Sequence, residues 1–85
     1  MKPEQYLIHG IATNNSIIIN SIYIQCSEYI RSFILKNNGT IEDAKDVFQE
    51  GILIIYQVTQ KRELKLTSSF SSYLYGICQR IWFNN

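Results

Sequence analysis

Residues 40–58, TIEDAKDVFQEGILIIYQV, decide the fold. Asn38-Gly39 just before them is a turn signal, and Thr40 stands where a helix N-cap belongs. Asp43, three residues on, occupies the capping-box position. Glu42, Asp43 and Asp46 fill the first turns, where the helix dipole favours anions. Ala44, Val47, Phe48, Gly51, Ile55 and Val58 recur at helical spacing and form one apolar face. Asp43, Asp46, Gln49, Glu50 and Leu53 lie on another face. That second face has two readings: a solvated outer surface, or a docking surface for a basic or polar partner.

Upstream, Asn37-Asn38-Gly39 ends a preceding helix, with Gly39 available for a left-handed backbone. That helix runs back to about residue 15, with Ile19, Ile22, Tyr23, Cys26, Tyr29, Ile30, Phe33 and Ile34 facing inward. Ile17-Ile18-Ile19 has strand propensity, but the helical spacing continues well beyond strand length. The turn between the two helices is so short that they are expected to pack antiparallel. Asn14-Asn15-Ser16 is a break that offers N-caps. Before it, residues 3–12 read as a short helix, with Pro3 at its first position and Tyr6, Leu7, Ile8 and Ile11 following.

Downstream, residues 59–69, TQKRELKLTSS, are polar and basic with no sustained apolar face. They read as a long loop with room for a helical turn at its start, either functional or a plain linker. Ser69 caps a last helix in which Phe70, Tyr73, Leu74, Ile77, Cys78, Ile81 and Trp82 keep core spacing. Its other face carries Ser72, Gly76, Gln79, Arg80 and Phe83. Gln and Arg side chains read adenine and guanine edges, and Tyr75 and Phe83 are placed to stack on bases. The alternative is an ordinary surface. The chain ends Trp82-Phe83-Asn84-Asn85 without a proline or glycine stop, so the helix is expected to continue in a longer parent chain. The expected fold is all-α: a compact three-helix core with a short N-terminal helix. Phe33, Phe48, Ile55, Phe70, Leu74 and Ile77 should be buried together in one domain, residues 1–85.

A chain of 85 residues holds one small domain of modest burial. With 46% hydrophobic and 18% charged residues it suits a globular fold. No apolar run approaches the roughly 20 residues of a membrane span. The first ten residues, MKPEQYLIHG, lack a signal-peptide core, so a cytoplasmic location is the default expectation. Cys26 and Cys78 fall on apolar faces as buried free thiols, and His9 is the lone histidine, so no metal site is expected. The net charge of +1 hides a gradient. Residues 36–57 balance to −2, whereas residues 58–85 carry Lys61, Arg62, Lys65 and Arg80 against Glu63, a balance of +3. An acidic middle and a basic end suit two partners of opposite character.

The run Glu42-Asp43-Ala44 followed by Asp46-Val47-Phe48-Gln49-Glu50-Gly51 resembles the polymerase-binding helix in region two of bacterial RNA polymerase sigma factors. Ser69-Phe70-Ser71-Ser72-Tyr73-Leu74 is similar to the start of the promoter-reading helix of the same region. Together these motifs make nearly the whole chain resemble region two of the extracytoplasmic-function type. Gly76-Ile77 stands where primary sigma factors carry paired tryptophans, as that type has it, and Gln79-Arg80 stands where the type often has Arg-Asn.

The resemblance implies that Asp43, Asp46, Gln49, Glu50 and Leu53 bind the clamp helices of the polymerase β′ subunit. It implies that Lys61, Arg62, Lys65, Ser72, Tyr75, Gly76, Gln79, Arg80 and Phe83 meet the non-template strand of the minus-ten promoter element, which the loop and last helix would recognise and help melt. A C-terminal helix-turn-helix domain and an anti-sigma partner would go with it. A degenerate sigma-like interaction domain, binding polymerase or an anti-sigma factor without reading DNA, is the alternative. No enzyme and no cofactor are expected, since no phosphate loop, nucleophile–base pair or metal cluster is present in the pattern.

Overall fold

The computed structural model describes residues 4–84. Among them the structure is all-α, with four helices: α1 (Gln5–Ala12), α2 (Ser16–Lys36), α3 (Ile41–Lys61) and α4 (Phe70–Phe83). The expectation that Pro3 opens the first helix lies outside the described residues.

Local chemistry sets the helix ends. The Asn15 side chain accepts from the N–H groups of Ile17 at 3.0 Å and Ile18 at 3.2 Å, capping α2. At α3 the predicted capping box is complete. The Asp43 N–H donates to the Thr40 hydroxyl at 3.1 Å, and the Thr40 N–H donates to the Asp43 carboxylate at 2.8 Å. Ser69 caps α4 by accepting from the Ser72 N–H at 3.1 Å.

The α2–α3 turn differs from expectation. Asn38, with φ of 71°, takes the left-handed conformation, and Gly39 does not have a positive φ. Asn is among the few residues that visit this region readily, so the turn does not need glycine there. Gly39 serves space instead. A Cβ on it would lie 2.8 Å from the Trp82 ring and collide with Ile34. The Trp82 indole N–H donates to the Asn37 carbonyl at 3.0 Å, so the end of α4 closes over this turn.

Helix α3 is central and packs against the other three helices. It runs antiparallel to α2: Ala44 shares a small cleft with Arg31, Phe48 meets Tyr23, and Ile52 lies in a cleft with Ile19. The Tyr23 and Phe48 rings meet edge to face at 5.0 Å. Gly51 lets α4 approach closely, since a Cβ there would stand 3.3 Å from the Cys78 sulfur and 3.4 Å from Leu74. The core gathers Ile22, Cys26, Ile30 and Ile34 of α2, and Val47, Phe48 and Ile55 of α3. Leu7, Ile8 and Ile11 of α1 and Phe70, Leu74, Ile77 and Cys78 of α4 join them, with Ala44 and Ile52 of α3 and Leu64 and Leu66 of the α3–α4 connection.

Two inward assignments are corrected. Phe33 is only half-buried and meets Phe83 edge-on at 5.5 Å. Tyr29 is exposed and stacks on Tyr75 with centroids 3.9 Å apart. Tyr29 sits at the border of the α2 stripe, and Phe33 lies in the last turn of α2, where its neighbour is the exposed Phe83 ring at the end of α4. The helical turn allowed for at the start of the loop is present, and what is corrected is the absence of apolar anchoring in the rest. Helix α3 continues to Lys61, and the remaining connection buries Leu64 and Leu66 in the core. Two apolar residues at alternate positions of an extended segment are enough to anchor it, although they make no helical stripe.

Candidate partner-binding surfaces

The outward side of α3 exposes Asp46, Gln49, Glu50 and Leu53. Asp43 stands apart from them: it is half-buried and one of its carboxylate oxygens is held by the capping box. Lys45 and Glu42 pair at 3.6 Å on this surface. Both are exposed, so the pair contributes little to stability.

Two clefts flank these residues. One, of about 600 Å³, is lined by Asn14, Ile19, Tyr23, Lys45, Phe48 and Gln49 among others. The other, of about 230 Å³, includes Ile11, Ile52, Leu53 and Tyr56 and shares Asn14, Ile19 and Gln49 with the first. Gln49, Leu53 and Lys45 thus border an apolar trough, Asp46 stands outside its lining, and Glu50 lines the cleft on the α4 side instead. Sequence reasoning placed Ile19 and Tyr23 on the inner side of α2 and so missed the trough. The short α1 leaves the N-terminal half of α2 only partly covered, and half-buried residues carry no mark in the sequence that tells a cleft wall from a core.

The basic residues fall into two places. Lys61 ends α3, Arg62 is its C-cap, and Lys65 points outward between buried Leu64 and Leu66; all three cations are exposed. Arg80 is in the last turn of α4, about 15 Å along the helix from its start. Ser72, Gly76, Gln79 and Phe83 follow i, i+4, i+7 and i+11 on α4 and form a stripe along the helix. A Cβ on Gly76 would meet nothing within 4 Å, so the stripe is open at its middle. Arg80 leans to the α3 side, sharing a cleft of about 340 Å³ with Glu50, Ile54, Ile77, Ile81 and Asn84.

Tyr75 lies on the opposite shoulder, toward α2. Tyr29 covers one face of its ring, and burial, reinforced by the Cys26 thiol, raises its pKa above the ordinary tyrosine value. The Ser69 hydroxyl donates to the Ser72 hydroxyl at 2.9 Å, which ties Ser72 to the helix cap. Phe83 is 65% exposed. Ser72, Gly76, Gln79 and Phe83 thus share one stripe of α4 that begins in its first turn, next to the connection that carries Lys65, whereas Arg80 lies in its last turn.

Cys26 and Cys78 are buried free thiols. Burial, and then the neighbouring Cys26, pushes the Cys78 thiol up to about 12. Among the described residues no group of three or more His, Cys, Asp and Glu side chains is placed to hold a metal ion. No helix among them is long and apolar enough to cross a membrane. Compared with protein families, curated proteins and solved structures, the chain matches none.

Proposed function

We propose that this domain is a transcription-initiation module of the sigma region-two kind, not an enzyme, working in the bacterial cytoplasm. Asp46, Gln49, Glu50 and Leu53 on α3 would dock on the polymerase β′ clamp helices, with Asp43 contributing mainly through the helix cap. The loop cations Lys61, Arg62 and Lys65 would contact phosphates of the minus-ten element. Ser72, Gly76, Gln79, Arg80 and Phe83 would face its non-template strand.

The observation that carries this reading is the outward cluster Asp46, Gln49, Glu50 and Leu53, of which Gln49 and Leu53 line an apolar trough. A basic amphipathic helix pair is the partner such a surface fits, because it can fill the trough and neutralise the acids together. The sequence motifs along α3 and α4 name that partner.

The test is a pull-down with polymerase core. The double reversal Asp46→Lys with Glu50→Lys should abolish capture while leaving helicity unchanged. Capture equal to the unaltered domain would overturn the reading.

One observation favours a second reading, an interaction domain that binds polymerase or an anti-sigma factor without reading DNA. One face of the Tyr75 ring, a candidate base-stacking platform, is covered by Tyr29. Promoter-specific transcription separates the two.

A further inference from the structure

Helix α2 carries more large aliphatic residues than its core contacts use. Ile17, Ile24 and Leu35 are 79%, 68% and 52% exposed. Together with Glu28 and Arg31 they follow i, i+7, i+11, i+14 and i+18. At helical spacing these positions form one stripe on the side of α2 opposite buried Cys26. Glu28 and Arg31 are both exposed, and among the described residues neither takes part in an ion pair; Lys45–Glu42 is the pair found.

We infer that the part of this stripe from Ile24 to Leu35 is the interface of a two-fold dimer with a second copy of this chain, with Ile17 outside the contact. The argument is the self-complementarity of its charges. In a two-fold contact, if one residue meets another, the second meets the first in return. An antiparallel pair of α2 helices with the axis between Glu28 and Arg31 sets Glu28 against the second copy's Arg31, and Arg31 against its Glu28. The same register sets Ile24 against the second copy's Leu35, and the reverse, each four residues further from the axis. One arrangement therefore satisfies two charge pairs and two apolar pairs. A parallel pairing would bring Glu28 against Glu28 and Arg31 against Arg31. An antiparallel shift by one turn would separate the charges.

The contact uses the C-terminal half of α2. It leaves free the trough walls Ile19, Asn20 and Tyr23, the acidic face of α3 and the stripe of α4. The inference therefore does not depend on the proposed function. The interface is narrow, one helix face wide, so the dimer is expected to depend on concentration.

Sedimentation equilibrium of the domain tests it. The average mass should rise toward twice that of one chain as concentration goes from micromolar to millimolar. Glu28→Arg alone, or Arg31→Glu alone, should hold the protein at the mass of one chain with helicity unchanged, because the substitutions are exposed. The combined variant Glu28→Arg with Arg31→Glu exchanges the charges and should recover the dimer. Ile24→Cys with Leu35→Cys should crosslink two copies on oxidation, whereas Ile24→Cys alone should not. In this register the two copies of residue 24 lie about 16 Å apart along the helix axis. A wild-type mass that stays at one chain throughout overturns the inference. So does a dimer that the single reversals leave intact, or that the charge exchange fails to restore.

Discussion

The Glu4 carboxylate accepts the backbone N–H of Phe70 at 3.2 Å, across 66 positions of chain. Phe70 is the first residue of α4, where unpaired N–H groups and the helix dipole favour an anion. Glu4 stands at the N-terminal end of α1, which lacks a side-chain cap of its own. One residue thus serves the start of another helix and ties the beginning of the chain to the candidate nucleic-acid-binding element. Gln5, which donates to the Leu64 carbonyl at 2.8 Å, and Gln60, which donates to the Ala12 carbonyl at 3.2 Å, complete this seam. Glu4→Ala should lower stability by about 0.5–2 kcal/mol, the range for losing a helix N-cap. Chemical denaturation would show this as a lower midpoint at unchanged slope.

The acids of α3 divide into one that holds the helix and others free to bind. Asp43→Ala breaks half of the capping box and should reduce stability by about 1 kcal/mol. Asp46→Ala and Glu50→Ala alter exposed side chains and should stay within about 0.5 kcal/mol of wild type. Thermal melts of the three variants check this separation. A polymerase-binding assay should show the opposite order if Asp46 and Glu50 make the partner contact.

The connection after α3 is anchored, so truncating its leucines should register in stability. Leu66 is 4% exposed and Leu64 is 7% exposed. Leu66→Ala should cost about 2–5 kcal/mol, the range of buried Leu→Ala changes, and Phe48→Ala in α3 about 3–5 kcal/mol. A linker lying loose on the surface would show no change at Leu66. Urea denaturation of both variants measures the comparison.

What could be read from the sequence follows from how each feature is encoded. The helices of residues 40–58 and 70–83 announce themselves through cap residues and a long apolar period, both local signals. Phe48, Ile55, Phe70, Leu74 and Ile77 accordingly lie in the core as their spacing requires. Leu64 and Leu66 escaped because two alternating leucines in a polar segment have no period long enough to register. The role of Glu4 escaped because its partner is 66 positions away. For the candidate site, the outward direction of Asp46, Gln49, Glu50 and Leu53 was legible from the helix period. The trough beside Gln49 and Leu53 was not, since its far wall comes from α2. The split between the loop cations and Arg80 depends on where the loop docks, which charge totals do not reveal.

The buried thiol gives a pH signature. Cys78 ionises at an ordinary value of 9.0 in the unfolded chain but is held to about 12 in the folded one, by burial and then by Cys26. Between those values the folded state keeps a proton that the unfolded state has lost. Its contribution to stability is full below pH 9.0 and is lost as pH rises toward about 12. The slope from this group is at most about 1.4 kcal/mol per pH unit. Denaturation midpoints of wild type and Cys78→Ala from pH 8 upward, at about half-unit steps, should show a steeper decline in wild type. The same burial predicts that a thiol reagent at neutral pH modifies Cys78 only when the domain opens.

Promoter reading is where the two functional proposals part. Lys61 and Arg62 end α3 and Lys65 lies in the connection to α4, where all three are exposed and open to phosphates. A phosphate contact is blind to sequence and sensitive to salt. Alanine at these three positions should therefore weaken open-complex formation on all promoters alike and flatten its salt dependence. Arg80 lies at the far end, beside Glu50 in the α3–α4 cleft. If it makes a bidentate contact to a base edge, Arg80→Ala should relax preference at one or two promoter positions by about 1–3 kcal/mol and leave the salt slope nearly unchanged. Tyr75→Phe keeps the ring that Tyr29 covers and should have little effect on initiation. The measurement is transcription from a panel of minus-ten variants by polymerase core supplied with the protein. Unchanged rates and preferences for both the loop and Arg80 variants, with polymerase capture intact, would leave the acidic face of α3 as the functional surface and establish the interaction-domain reading.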